Sequence, residues 1–427
     1  MAKNLKQVEI KPITHPIDTE IKIPASKSFT HRAFIIAGLA DGDSKITHPL
    51  IAEDTVLTLK ALKMMGVRAE KIENGYLIHG VAGKPKAPDN EIMLNNSGTS
   101  LRLLTSVAAL ADGEIILTGD LRMCERPVKD LTDALYKLGV KSQYLKNQGY
   151  PPVKIFSSLK GGKTQMSGNT SSQYFSSVLI SSPYAEEDVE IIPTTHIKSR
   201  PYIDLTVEMM ERFGVDVEAG SIFRVKSGQT YQATDYMVEG DFSSASYFFA
   251  VVAVLGGSIR VLGLNKNSRQ GDRSFLRYLS MMGCKVTYAD DSIKVEHDLR
   301  GPLKGIDVDM KNSPDIVQTL AIVACFAASP TTIRNIGHLK HKETDRIEST
   351  ATELRKIGAT VETTADTMII CPLKEPRPAT IETYNDHRMC MSFSIAGLKI
   401  PGIIIKNPGC VKKSFPNFFD MLNQIYI

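Results

Sequence analysis

The sequence predicts an α/β protein of two similar domains, each built from three repeated units around buried helices. Three observations carry that prediction: a sixfold internal repeat, a glycine that ends a second helix in five of the units, and a length of 427 residues. At about 150 residues per domain, the length alone points to two or three domains. With 42% hydrophobic and 23% charged residues, the chain has the material for packed cores and lacks the signature of disorder.

The repeat is the strongest signal. Six segments run through a short extended stretch, a turn of small polar residues, an apolar helix, then Gly or Pro and a β-branched strand. They are IPASKSFTHRAFIIAGLADGDSKI, LNNSGTSLRLLTSVAALADGEIIL, SGNTSSQYFSSVLISSPYAEEDVEI, EGDFSSASYFFAVVAVLGGSIRV, NSPDIVQTLAIVACFAASPTTI and YNDHRMCMSFSIAGLKIPGIII. With Ser28, Gly98, Ser172, Ser244, Asp315 and His387 as equivalent points, the spacings are 70, 74, 72, 71 and 72. These helices are apolar almost all round, as in Ala250–Leu255, which requires burial. Between them lies a charged, amphipathic helix closed by Gly66, Gly139, Gly214, Gly283 or Gly358, each where a left-handed residue ends a helix. Each unit therefore reads strand, buried helix, strand, surface helix, strand. One unit cannot bury its own apolar helix, so units associate, three to a domain, with a boundary near Glu239–Phe242.

Several classes are excluded. The net charge of +4 is too mild for nucleic acid as a partner. The N-terminal MAKNLKQVEIKPITHPIDTE has no apolar h-region. Phe248–Leu255 and Leu320–Ala328, the longest apolar stretches, fall far short of the ~20 residues that span a bilayer. The six cysteines form no CxxC pair, so reduced thiols are expected rather than disulfides or zinc. A soluble, cytoplasmic protein with no membrane partner is the expectation.

The turns before the buried helices carry the chemistry. Helix starts with small residues present open N–H groups and a favourable dipole to anions, although any single one is also an ordinary N-cap. Cations cluster beside them: Lys27, Arg32, Arg102, Arg122, Arg126, Lys342, Arg346, Arg388 and Lys412–Lys413. In SKSFTHR and NDHR such a cation reads as a phosphate or carboxylate clamp. Acid–base candidates accompany them: Asp315 in NSPD, Glu343 and Asp345 in HKETDR, Asp386 and His387 in YNDHR. Neighbouring cations give such a carboxylate reason to stay ionised. His338, His341 and Glu343 have no second histidine cluster to complete a metal site, and neither GxxxxGK[ST] nor GxGxxG occurs.

Ten motifs in order, PASKSFTHR, NNSGTSLR, LRMCERPV, SGNTSSQ, KSRPYID, EGDFSSASY, NSPD, KHKETDRI, YNDHRM and PGCVKKSFP, resemble the 5-enolpyruvylshikimate-3-phosphate synthase family over essentially the whole chain. The resemblance implies the enolpyruvyl transferase fold, an α/β fold of two domains with three βαβαββ units each. It places residues 26–241 in one domain and 1–25 with 242–427 in the other. It implies transfer of the enolpyruvyl group of phosphoenolpyruvate to the 5-hydroxyl of shikimate 3-phosphate, in aromatic amino-acid biosynthesis, without metal or organic cofactor. Shikimate 3-phosphate would meet Lys27, Ser28, Arg32, Ser171, Ser172, Gln173, Ser199, Tyr202, Asp315 and Lys342. Phosphoenolpyruvate would meet Lys27, Gly98, Arg126, Gln173, Arg346, Arg388 and Lys413. Asp315 is implied as base for the hydroxyl and Glu343 as proton shuttle at C3, with Lys27 stabilising developing charge. A monomer is expected. So is inhibition by glyphosate at the phosphoenolpyruvate seat beside Gly98, where an added methyl would meet the longer inhibitor first.

Two positions depart from the family pattern. His338 stands where Asn or an acidic residue is usual, and Asn95 replaces a glycine, a place Asn suits because it tolerates left-handed backbone. The nearest rival is the UDP-N-acetylglucosamine enolpyruvyl transferase family, which carries a cysteine five residues before its Arg-Pro element; here Cys124 lies two before Arg126. A non-catalytic anion- or RNA-binding repeat protein is disfavoured by Asp315 and Glu343 and by few aromatics for base stacking.

Overall fold

The computed structural model describes residues 6–426. The chain forms two compact units, one of residues 26–238 and one of the residues up to 25 with those from 239 onward.

In the unit 26–238 the helices are α1 (Lys27–Leu39), α2 (Glu53–Met64), α3 (Gly98–Ala108), α4 (Lys129–Lys137), α5 (Ser172–Ser181) and α6 (Pro201–Arg212). α1, α3 and α5 are the apolar ones, and they pack against one another with few exposed residues. Three four-stranded sheets surround them, in the orders 236–237/43–47/75–79/68–72, 92–93/115–118/153–155/142–144 and 162–166/189–193/223–225/217–219. Each begins with a parallel pair that flanks a buried helix and continues antiparallel, which is the βαβαββ plan.

The second unit repeats the plan with α7 (Phe242–Leu255), α8 (Ser274–Met282), α9 (Val317–Ala324), α10 (Arg346–Lys356) and α11 (His387–Gly397). Every residue of α7 is buried, as its apolar circumference requires. α7, α9 and α11 share one core, and Ser246, Thr319 and Ser392 meet there in a chain of hydroxyl contacts, each 73 residues from the next. The repeat is thus also a contact symmetry. Its last sheet has three strands: 379–381 and 403–406 in parallel, with 7–10 added antiparallel.

The repeats are not fully self-contained. Strand 17–22, which precedes α1 in sequence, pairs in parallel with 257–262 beside α7. Strand 236–237, which precedes α7, pairs in parallel with 43–47 beside α1. The first and fourth repeats have exchanged their leading strands, so the chain crosses from one unit to the other after Ala25 and again before Glu239. Gly66, Gly139, Gly214, Gly283 and Gly358 all have positive φ, between 82° and 115°, as helix-ending residues there need. No helix among the described residues is long and apolar enough to cross a membrane, and all six cysteines are free thiols.

One buried carboxylate ties the last two repeats together. Glu353 of α10 is fully buried; its Oε1 accepts from the Tyr384 hydroxyl at 2.7 Å and its Oε2 from the Glu382 amide at 3.1 Å, while Lys356 Nζ reaches both oxygens. The segment it holds, Tyr384 and Asn385, has two successive left-handed residues and leads directly into Asp386 and α11. Glu353→Ala leaves the hydroxyl and the amide without an acceptor and is expected to cost about 2–3 kcal/mol. Urea unfolding followed by circular dichroism measures this, and an unchanged midpoint would show that the network contributes nothing.

Candidate active site

The six helix starts differ in what already occupies them. Asp241 caps α7 by accepting from Ser243 and Ser244 N–H, Asp386 caps α11 by accepting from Arg388 N–H, and Ser171 caps α5 through Gln173 N–H. A carboxylate at α7 and α11 fills the place an anion would take. α9 is preceded by a 3₁₀ turn, Pro314–Ile316, that holds Asp315. Only α1 and α3 begin without a side-chain cap among polar starts: neither the Ser26 nor the Ser97 hydroxyl accepts from a backbone N–H of its helix, and Ser97 Oγ meets Ser100 Oγ at 2.6 Å instead. An uncapped polar start thus remains at α1 and α3, both in the unit 26–238.

Around those two starts the unit gathers buried positive charge. Arg32 sits in the middle of α1, 1% exposed, and its guanidinium bonds only neutral oxygens: Thr206 Oγ1 at 2.7 Å, Tyr202 O at 2.8 Å, Ser28 O at 2.9 Å and Ser176 Oγ at 3.3 Å. Burial lowers its pKa to about 10. Arg102, one turn into α3, donates to Gln173 Oε1 at 3.0 Å and Ser171 Oγ at 3.4 Å, beside the Tyr174 ring. Gln173 passes the constraint on, its Nε2 donating to Thr99 Oγ1 at 2.9 Å, so its amide orientation is fixed at both ends. Neither Arg32 nor Arg102 forms an ion pair among the described residues.

Arg126, 4% exposed, follows the 3₁₀ turn Met123–Glu125 and bonds Asn96 through Oδ1 at 3.0 Å and O at 3.3 Å. This sets its guanidinium against Gly98 at the start of α3: a Cβ built there would lie 2.5 Å from Nη2. Lys27, first residue of α1, pairs with Asp54 of α2 at 3.3 Å. Ser172 is buried on α5; Ser199 is buried with φ of 59°; Tyr202 lies on α6 and turns its carbonyl to Arg32. Asn95 has φ of 46°, the left-handed backbone expected of it.

The other unit assembles a mixed-charge cluster. Arg346, first residue of α10 and 1% exposed, holds three carboxylates: Asp386 through Nε at 2.7 Å and Nη2 at 3.2 Å, Glu343 through Nη2 at 2.9 Å, and Asp315 through Nη1 at 3.0 Å. Four of its five N–H groups are thereby engaged. Burial pulls its pKa down, but Asp386, Glu343 and Asp315 together carry it above the ordinary guanidinium value. Asp315 is shared: its Oδ2 accepts from Arg388 Nη2 at 2.7 Å, and Arg388 Nη1 donates to the Tyr247 hydroxyl at 3.3 Å. Lys413, at the end of the 3₁₀ turn Pro408–Lys413, approaches Glu343 Oε1 at 3.9 Å. Lys342 is half-buried beside Glu343 in sequence, and His338 is buried on the preceding 3₁₀ turn, Gly337–His341.

The sequence-derived residues thus fall into two groups. Lys27, Ser28, Arg32, Gly98, Arg126, Ser171, Ser172, Gln173, Ser199 and Tyr202 belong to one unit; Asp315, Lys342, Glu343, Arg346, Arg388 and Lys413 belong to the other. Sequence reasoning counted Arg102 among the clustered cations without assigning it a ligand, and gave no role to Asn96, Asp54 or Tyr247. Arg102 had a signal, a cation four residues into a helix that starts with Gly. Asn96 and Asp54 had none, because nothing in a sequence marks a side chain as the partner of a distant cation.

Comparisons with known proteins show the family. The family described as EPSP synthase (3-phosphoshikimate 1-carboxyvinyltransferase) matches residues 12–422. The 3-phosphoshikimate 1-carboxyvinyltransferase of Methanoculleus marisnigri is 47% identical over 412 residues, 96% of this chain and 97% of that one. The protein of the same name from Proteus mirabilis is 42% identical over 428 residues, 99% of each chain. Among solved structures, an EPSP synthase from Acinetobacter baumannii superposes with a TM-score of 0.82 at 29% identity, over 99% of this chain and 98% of that one.

Proposed function

The chain belongs to the EPSP synthase family, and we propose that it transfers the enolpyruvyl group of phosphoenolpyruvate to the 5-hydroxyl of shikimate 3-phosphate, releasing phosphate. Beside the full-length family match, the observation that carries the chemistry is the Asp315 carboxylate held between Arg346 and Arg388, with Glu343 on the same Arg346. The addition step needs a base for the hydroxyl and an acid for C3 of phosphoenolpyruvate. The elimination step needs that C3 proton removed as phosphate leaves C2. Asp315 takes the hydroxyl proton, and Glu343 delivers and later recovers the proton at C3.

Asp315 pinned by two guanidinium groups is a weak base. A substrate anion that draws on Arg388 diverts positive charge from Asp315 and raises its basicity when it is needed. Arg126, Arg388 and Lys413 are the cations proposed for phosphoenolpyruvate, along with the last N–H of Arg346. Arg32, with its buried charge and neutral partners, contributes a positive field toward the phosphate of shikimate 3-phosphate, for which Ser171, Ser172 and Ser199 are the proposed hydroxyl donors. Lys27 is proposed to steady developing charge at both substrates, with Gln173, Ser28, Tyr202 and Lys342 completing the contacts. Phosphate release that requires both substrates together tests the reaction; release with phosphoenolpyruvate alone, or none, would overturn it.

Gly98 bears on the phosphoenolpyruvate half. Its φ is not left-handed; what it provides is close approach, because the added methyl of Gly98→Ala meets the Arg126 guanidinium. Arg126 must move, so phosphoenolpyruvate itself is expected to lose a charged hydrogen bond, raising its KM roughly 10–100-fold. A longer phosphonate inhibitor such as glyphosate loses the same bond and meets the methyl as well, so its inhibition constant rises further. Steady-state kinetics check both, and an unchanged KM for phosphoenolpyruvate would show that Arg126 has room to adjust.

A further inference from the structure

Asp272 is a buried carboxyl that none of the roles above uses. It lies in the 3₁₀ turn Gly271–Arg273 and is 2% exposed. The turn is firmly held: Gln270 Nε2 donates to Gly240 O at 2.8 Å and Glu239 Oε1 at 2.7 Å, and Gln270 Oε1 accepts from Phe242 N–H at 3.1 Å. Asp272 Oδ2 accepts a hydrogen bond from the Ser243 hydroxyl at the start of α7. Its Oδ1 is buried with no partner, and the side chain forms no ion pair among the described residues. The turn packs against the turn that carries Asp315.

A carboxylate in such a place is costly. It is shielded from solvent, has one hydroxyl donor among the described residues, and feels the charge of other carboxylates. The charged groups around it are Asp315 on the neighbouring turn, Arg388 on α11 and Asp241 at the cap of α7. Two of these three repel it, and Arg388 is already bound to Asp315.

Charge bookkeeping in the cluster gives the carboxyl a consequence. Arg346, Arg388 and Lys413 are balanced by Asp315, Glu343 and Asp386. With Asp272 neutral the cluster is even and can still attract an anion at its cations. With Asp272 ionised it carries an excess negative charge next to Arg388, and an incoming anion is repelled. We propose that Asp272 is a positioning residue that keeps its proton while the cluster binds phosphoenolpyruvate, and that its ionisation weakens this binding by offsetting the charge of Arg388. The inference rests on the enolpyruvyl transfer proposed above.

Burial, and next the neighbouring Asp315, pushes the Asp272 carboxyl up to about 7, with Arg388 and the Ser243 hydroxyl pulling the other way. The switch therefore falls in the range where the enzyme can be assayed. The experiment is the KM for phosphoenolpyruvate from pH 6 to 8.5 in the full-length wild type and in Asp272→Asn. The substrate's own ionisation is common to both and cancels in their ratio. The wild-type KM is expected to rise with pH roughly 3–10-fold more than that of the variant, the size of one partly screened charge at short range. Parallel profiles in an active pair would overturn the inference while leaving the reaction intact. No turnover by the wild type at any pH would instead remove the reaction, and this inference with it. Should Asp272→Asn fail to fold, Ser243→Ala serves: loss of the Ser243 donor, the only one among the described residues, moves the wild-type inflection to higher pH, and an unmoved inflection counts against Asp272.

Discussion

Asp315→Asn is expected to lower kcat by about 10²–10⁴ while phosphoenolpyruvate and shikimate 3-phosphate still bind. The amide has the shape of the carboxylate and can accept from one of the two guanidinium groups that now reach Asp315 at 3.0 and 2.7 Å. It cannot take a proton from the hydroxyl. Its NH₂ must also face the other guanidinium, so Arg346 or Arg388 loses a partner and the fold gives up about 1–3 kcal/mol. Removing a negative charge beside Arg388 favours anions, so the KM for phosphoenolpyruvate should hold or fall. This split separates a base from a structural strut, whose loss would raise KM and lower kcat together. Rapid-quench measurement of a single turnover, with calorimetry for binding, reads the two quantities apart. Turnover within about threefold of the wild type would reduce Asp315 to a residue that orients the two arginines.

Much of this was legible in the sequence because the repeat restates itself. A helix that must be buried has to be apolar all round, so six such helices at near-constant spacing announce themselves. Helix-ending glycines do the same, since left-handed backbone excludes most other residues. Periodicity did not show the strand exchange, and only the resemblance placed residues 1–25 with the second domain. Strands 17–22 and 236–237 are extended and partly buried whichever sheet receives them, and nothing in their pattern names a partner. The capping of α7 and α11 by Asp241 and Asp386 was visible only as residue type. An aspartate at a helix start satisfies the dipole itself and leaves no seat for an outside anion.

The arginine clusters mark where sequence reading stops. Arg32 and Arg346 look alike in sequence, each a basic residue following a polar turn. Arg32 is surrounded by hydroxyl and carbonyl oxygens and keeps an uncompensated field. Arg346 is saturated by carboxylates 3, 31 and 40 residues away. The difference lies wholly in partners brought by the fold. It also shifts the weight of the resemblance, which gave Arg346 to phosphoenolpyruvate. Four of its five N–H groups are engaged with carboxylates, so its first task is to hold the acid–base pair in place.

That task predicts the second large effect. Arg346→Met removes the hub and leaves Asp386, Glu343 and Asp315 converging on an apolar side chain, with Arg388 and Lys413 as the remaining cations. Breaking a buried ion pair by deleting one partner costs about 3–5 kcal/mol, and here one deletion takes a shared cation from three acids, leaving Asp315 with Arg388 and Glu343 with Lys413. The cost depends on pH with a definite sign. In the variant three buried acids share two cations, so ionising all of them is costlier in the folded form, which therefore binds more protons, and stability falls as pH rises. The variant is therefore expected to lose more thermal stability at pH 8 than at pH 5. Arg346→Lys should recover only part of the loss, because one ammonium cannot reproduce a planar fork that meets three carboxylates at once. Thermal melts of wild type and both variants at the two pH values measure this. An equal loss at pH 5 and pH 8 would mean that Arg346 contributes packing rather than charge, and that Asp315 and Glu343 owe their placement to something else.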